Sequence, residues 1–254
     1  MSISQLEDTV RSLHPTALLE IGCGCGRHLT RSLTGFCGRV VATDIAPNES
    51  RWQEIARTAP IRFLRMDATA LGFTDNSFPL VLARDTLHHI SRWPEAISEM
   101  VRVSSDLLLL EEPVADLRSA AKKRTQEAQE LFLRLQAEVG YSHYRHLYPD
   151  ALLSTIQERA CLVNVHMNRR DAAVTFEEFF RDFPAFAAKS QREDYWLSQL
   201  QALRSRFGGA SLCKTDRLTV LASKNQPRAM PSPEAASELR RAGEPRGAVI
   251  FSCT

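Results

Sequence analysis

Short apolar runs alternate with amphipathic stretches along the first 112 residues. Ile3, Leu6, Val10 and Leu13 recur at helical spacing, and His14-Pro15 stops the segment. The run Ala17 to Ile21 reads as a first strand, followed by glycines at 22, 24 and 26 and by a helix that Gly35 closes. Arg39 to Thr43, dominated by β-branched residues, reads as a second strand ending at Asp44. Pro47-Asn48-Glu49-Ser50 then starts a helix that buries Trp52, Ile55 and Ala56. A third strand, Ile61 to Arg65, ends at Met66-Asp67-Ala68-Thr69. A fourth, Leu80 to Ala83, is expected to start at or after Pro79, because proline cannot donate to a sheet ladder. Pro94 suits a first helical position, with Ile97, Met100 and Val101 on one face. Leu107 to Leu110 is apolar on both faces, as a central parallel strand should be.

Strands alternating with helices predict an α/β fold, a Rossmann-like, doubly wound and mostly parallel sheet. Two later runs, Leu162 to His166 and Arg217 to Ala222, bring the strands to seven. Ligands of such sheets lie beyond the carboxyl ends of the strands, where the polar clusters just named fall. After Glu111 the pattern changes. Residues 116–139 read as one long polar helix with Ala128, Leu131, Phe132, Leu135 and Val139 as its stripe. The run Tyr141-Ser142-His143-Tyr144-Arg145-His146-Leu147-Tyr148 precedes a helix opened by Pro149. Thr175 and Glu178 fit a capping box, and Phe176, Phe179, Phe180 and Phe183 fall on one side of the helix that follows, a spacing that favours core over pocket. One domain is expected over residues 1–224, with a helical insertion at about 113–160 and further helices over 175–207. Residues 225–254, rich in Pro, Ala, Arg, Glu and Ser, read as a disordered tail.

Composition narrows the function more than the fold. A 254-residue chain with 44% hydrophobic and 24% charged residues supports a substantial core. A net charge of +2 offers no basic surplus for neutralising phosphates, so a nucleic-acid partner is not expected. Lys122-Lys123-Arg124 reads as a solvated helix face. No leader or membrane span is apparent, and the six scattered cysteines lack zinc spacing, so a cytoplasmic chain without a metal site is expected.

Glycines at every second position after a strand permit backbone angles that a Cβ forbids and let a ligand lie against the main chain. A helix N-terminus behind them suits a carboxylate or phosphate. With Glu20-x-Gly22-x-Gly24-x-Gly26 stand Asp44 after strand two, Asp67-Ala68, the Phe73–Phe78 turn, Leu87-His88-His89-Ile90 and Glu99-Met100-x-Arg102-Val103. Together these make the chain resemble the class I S-adenosylmethionine-dependent methyltransferases, in particular the small-molecule group that includes quinone-biosynthetic members. The likeness runs from about residue 15 to 112. It implies S-adenosylmethionine as cofactor, with Glu20, Gly22, Gly24 and Gly26 around its methionine part. Asp44 and the neighbouring Ile45 are implied at the ribose, Asp67 and Ala68 at the adenine, and Arg84 in the loop beneath.

For the acceptor, His88 and His89 follow strand four on the cofactor side, and either is a candidate base for a hydroxyl. A purely structural role for both stays open. Asp85, Tyr141, His143, Tyr144 and Tyr148 are candidates for binding the acceptor, the tyrosine–histidine run either lining a lid or beginning a surface helix. An oxygen, nitrogen or carbon nucleophile on an aromatic or apolar metabolite is the expected acceptor. The alternative is a protein that binds the cofactor without transferring its methyl group. A nicotinamide-dependent reductase is disfavoured, because none of Tyr141, Tyr144, Tyr148 and Tyr195 has a lysine four residues on.

Overall fold

The computed structural model describes residues 3–26, 29–141, 147–225 and 248–249. Its centre is an eight-stranded sheet. The strands are β1 (Leu18–Ile21), β2 (Val40–Asp44), β3 (Ile61–Arg65), β4 (Phe78–Arg84), β5 (Ser104–Val114), β6 (Cys161–Asn168), β9 (Asp216–Ser223) and β10 (Ala248–Val249). Their order is β10-β6-β9-β5-β4-β1-β2-β3. β1 to β5 run parallel, and β9 lies antiparallel between β5 and β6. The order reverses between β1 and β4, which opens a crevice beyond their carboxyl ends. This is the expected doubly wound sheet with all seven expected strands, extended at its edge by Ala248–Val249. Apart from Asn225 and that pair, the expected tail lies outside the described residues.

Alternation along the strands fills two cores. Leu19, Ile21, Val81, Ala83, Leu108 and Leu110 face Ile97 and Met100 of α4 (Trp93–Val103) and Leu152 and Ile156 of α6 (Pro149–Gln157). Leu18, Leu80, Leu82 and Leu109 point the other way, against Leu6 and Val10 of α1 (Ile3–Leu13), Leu33 of α2 (Leu29–Leu33) and Ile55 of α3 (Glu49–Ala56). A period of two on strands buried on both sides produces this division. β4 begins at Phe78, before Pro79 rather than at or after it. The ladder steps from Phe78↔Ser104 to Leu80↔Leu107, so β5 bulges where Pro79 has no N–H to give. The Ser104 hydroxyl takes up the slack, donating to the Leu107 carbonyl and accepting from the Asp106 N–H.

A third core belongs to the helices. α5 (Ala120–Glu138) starts at Ser119, whose hydroxyl accepts from the Lys122 N–H, and not at residue 116. It packs Ala128, Leu131 and Leu135 against Phe180, Phe183, Trp196, Leu203 and Phe207. The phenylalanine segment is two short helices, α7 (Phe176–Phe179) and α8 (Phe183–Ala187), because Pro184 begins a new helix. Thr175 caps the first as expected, accepting from the Glu178 N–H at 3.1 Å. α9 (Glu193–Phe207) ends at the left-handed Gly208, and a small ladder of β7 (Ala173–Val174) with β8 (Leu212–Cys213) closes the unit.

The expectation for Lys122 is overturned. Its ammonium is buried, donating to the buried Asp216 carboxylate and, at 3.1 Å each, to the Arg170 and Lys214 carbonyls. Helical periodicity turns it inward, while Lys123 stays exposed. Among the described residues no helix is long and apolar enough to cross a membrane.

Candidate functional site

The glycine turn after β1 hangs on β2. The N–H groups of Gly22 and Cys23 both donate to the Thr43 carbonyl, at 2.8 and 3.0 Å. Gly22, Gly24 and Gly26 all have positive φ, the region that disfavours a side chain. Their surroundings differ. A Cβ on Gly22 would sit 2.3 Å from the Thr86 side chain, and one on Gly26 would sit 2.8 Å from Phe63. Of the three, only Gly24 has free space in that direction. Its carbonyl accepts from Trp52 Nε1 at 2.8 Å, and Trp52 stacks on Phe63. Arg27 and His28 lie outside the described residues, and α2 spans five residues, too few for much of a macrodipole.

Glu20, one residue from the end of β1, is buried beneath this turn. Burial pushes its carboxyl up to about 7, opposed by a hydrogen bond from Thr30 and by the Arg84 charge and reinforced by Asp44. Among the described residues its Oε2 is the one buried side-chain polar atom without a hydrogen-bond partner. Asp44 closes β2 half-buried. One carboxylate oxygen accepts from the Gly24 N–H at 2.8 Å, the other from the Ala46 N–H at 2.9 Å. This fixes the carboxylate in orientation and leaves lone pairs for hydroxyls. Ile45 beside it is 60% exposed, the most exposed large apolar side chain described. Asp67 turns one oxygen to the N–H and hydroxyl of Thr69, which holds its carboxyl below the usual range. Ala68 is buried.

At the ends of β4, β5 and β9 the residues form two networks, each around a buried glutamate. Arg84 Nε donates to Glu111 Oε1 at 2.9 Å, and Arg217 reaches both Glu111, at 3.1 Å, and Asp85, at 2.6 Å. Asp85 has φ +53°, a rare value for a residue with a side chain, and its N–H donates to the Glu111 carbonyl. Arg84 thus faces carboxylates of its own chain, and Asp85 is tied to Arg217 rather than projecting alone into the cleft. The second network surrounds Glu112. Its Oε1 accepts from the Thr86 and Leu87 N–H groups, both at 2.8 Å, and its Oε2 lies 2.7 Å from His88 Nδ1. His88 is buried and packs on the exposed His89, ring centroids 4.2 Å apart.

Glu111, Glu112, Thr86 and Arg217 escape the sequence reading. The signal for the first two is the tandem of carboxylates directly after four leucines, a position a central strand buries. Arg217 is the second residue of the antiparallel β9, which puts it at the same end of the sheet.

Of the proposed lid, Tyr141 and Tyr148 are both 52% exposed. Tyr141 packs edge-on against Phe186 and under Lys189. His143, Tyr144 and His146 lie outside the described residues. Two cavities, about 310 and 420 Å³, open elsewhere: one along β7, α7 and the end of α9, the other between α5 and α9.

A nucleoside joined to an amino-acid tail fits the strand ends. The unpartnered Glu20 oxygen suits a cationic or donor group, the Gly24 backbone is open, and the oriented Asp44 carboxylate suits vicinal hydroxyls. Residues 19–106 match the family model described as methyltransferase domain. Solved structures share the fold. A putative methyltransferase from Bacillus halodurans superposes with a TM-score of 0.65 at 21% identity, covering 88% of this chain and 98% of that one. The [4+2]-cyclase SpnF gives 0.55 at 17% identity, over 87% and 80%. Magnesium protoporphyrin IX methyltransferase from Synechocystis, solved with bound S-adenosylhomocysteine, gives 0.53 at 14% identity, over 88% and 82%.

Proposed function

We propose that this class I S-adenosylmethionine-dependent methyltransferase transfers the methyl group to an oxygen, nitrogen or carbon nucleophile on a small aromatic or apolar metabolite, in the cytoplasm. The observation that carries the reading is the grouping of open Gly24 with the half-unpartnered Glu20 and the backbone-oriented Asp44. The cofactor supplies a methyl group on a sulfonium, already activated for in-line displacement. What the chain must add is alignment of the acceptor, and holding two reactants at near-attack distance accounts for much of such an acceleration.

The residues divide this work. Glu20, Gly24 and Asp44 hold the cofactor from its amino-acid end to its ribose, with Ile45 as an apolar wall and Asp67 and Ala68 at the far end. Arg84 braces the floor through Glu111. For a hydroxyl acceptor, His88 is the base and His89 its neighbour in the cleft. The helical parts, residues 113–160 and 175–207, carry the acceptor side, with Asp85, Tyr141, His143, Tyr144 and Tyr148 as the candidate acceptor-binding residues. The +2 net charge supports a small acceptor over a nucleic acid.

Incubation with labelled cofactor and a metabolite extract tests this reading: one labelled small molecule is expected. The second reading, cofactor binding without methyl transfer, draws support from the likeness to the cyclase SpnF, a protein of the same fold named for a different reaction. Tight cofactor binding with no labelled product would favour it.

A further inference from the structure

We propose that Glu112 is a positioning residue that holds the His88 imidazole with its proton on Nδ1 and fixes the turn that carries it. The proposal rests on the reading of His88 as the base. Glu112 comes from β5, is 0% exposed, and spends both carboxylate oxygens on a single turn. Oε1 accepts the successive N–H groups of Thr86 and Leu87, and Oε2 meets His88 Nδ1 at 2.7 Å. A carboxylate has no proton to give, so the shared proton sits on Nδ1 and the lone pair of the neutral ring on Nε2. Which nitrogen of a histidine acts is set in this way by the bond its other nitrogen makes.

The same carboxylate reaches the cofactor turn. Thr86, held by its N–H, turns its hydroxyl toward the Arg84 carbonyl at 2.9 Å and the Ile21 carbonyl at 3.1 Å, and its side chain packs where a Gly22 Cβ would stand. One buried side chain therefore sets the imidazole and the wall of the glycine turn together. A role confined to packing would not need the ring's proton on one nitrogen.

The test is the protonation of His88, read by side-chain 15N–1H correlation in mildly alkaline buffer, in the wild type and in Glu112→Gln. Wild type is expected to show the Nδ1–H form. In Glu112→Gln the amide oxygen keeps the two backbone bonds, and the amide N–H now faces Nδ1, so the ring switches to Nε2–H. Turnover is expected to fall by about 10²- to 10⁴-fold, the range for a misplaced general base, with cofactor Kd changed less than about threefold. An Nε2–H form in the wild type overturns the proposal, whether or not the variant folds. So does a switched ring in the variant with unchanged kcat. If the wild type transfers no methyl group to any acceptor, the methyl-transfer reading fails, and the ring's protonation still decides the role of Glu112.

Discussion

The crevice at the strand ends and the helical core around α5 solve the problem of buried polar groups in different ways. At the crevice, Asp44 is satisfied by the N–H groups of Gly24 and Ala46, one on the neighbouring strand's turn and one two residues on. Partners of this kind follow from sheet register, because β1 and β2 lie side by side from Leu18↔Val40 to Ile21↔Thr43. In the helical part, Lys122 meets Asp216 from 94 residues away, and Trp196 donates to Glu138 across 58. Partners there depend on how helices dock. Backbone amides leave the Asp44 carboxylate with capacity for a ligand, whereas Asp216 is taken up by Lys122, the Arg170 N–H and Arg118. The first arrangement is built to bind, the second to hold a helical cover against β9.

The largest effect expected from this contrast is on stability. Asp216→Ala leaves the buried Lys122 ammonium with two carbonyls and the exposed Asp171 carboxylate at 3.5 Å, and a loss of about 3–5 kcal/mol is expected in urea unfolding. Lys122→Met combined with Asp216→Leu should recover much of that loss. A single variant as stable as wild type would mean that the pair does not close the interface.

Glu20 gives the next effect, and it depends on pH. Its carboxyl stands at about 7 in the folded protein against an ordinary 4.5, so the folded state keeps a proton that the unfolded chain releases. The associated stability is complete below about pH 4.5, is lost as pH rises to about 7, and amounts to on the order of 3 kcal/mol. The difference between the stability–pH curves of wild type and Glu20→Gln isolates it. Parallel curves would show that Glu20 is ionised in the folded state.

Two glycines sharpen the contrast within the crevice. Gly22→Ala meets Thr86 and a left-handed backbone, and roughly 2–3 kcal/mol of destabilisation is expected. Gly24→Ala meets open space, so the expected cost is the backbone's alone, about 1 kcal/mol, with the greater damage to cofactor affinity. Calorimetry and thermal melts on both variants separate packing from binding. Equal stability losses would erase the distinction.

These differences also mark what was legible in the sequence. The seven strands and the turn could be read because alternating burial and glycine spacing are local patterns. The tight packing at Gly22 and Gly26 could not, since Thr86 and Phe63, whose side chains stand where a Cβ would point, are distant in the chain. Lys122 looked like surface because a charged triplet on a polar helix usually is. Nothing near it in the chain announces Asp216. Pro79 was read as a strand boundary, yet β5 absorbed it by a bulge, a choice made by the partner strand. The histidines were legible as candidates, but the carboxylate that orients His88 lies on another strand, 24 residues later.

The most direct test of the crevice is calorimetric titration of S-adenosylmethionine into wild type and Asp44→Ala. Micromolar binding is expected for the wild type. In the variant, loss of the oriented, charge-assisted hydrogen bonds should weaken it by roughly 10- to 100-fold. Equal affinity in the two proteins, or no binding to wild type, would contradict the assignment of this crevice to the cofactor.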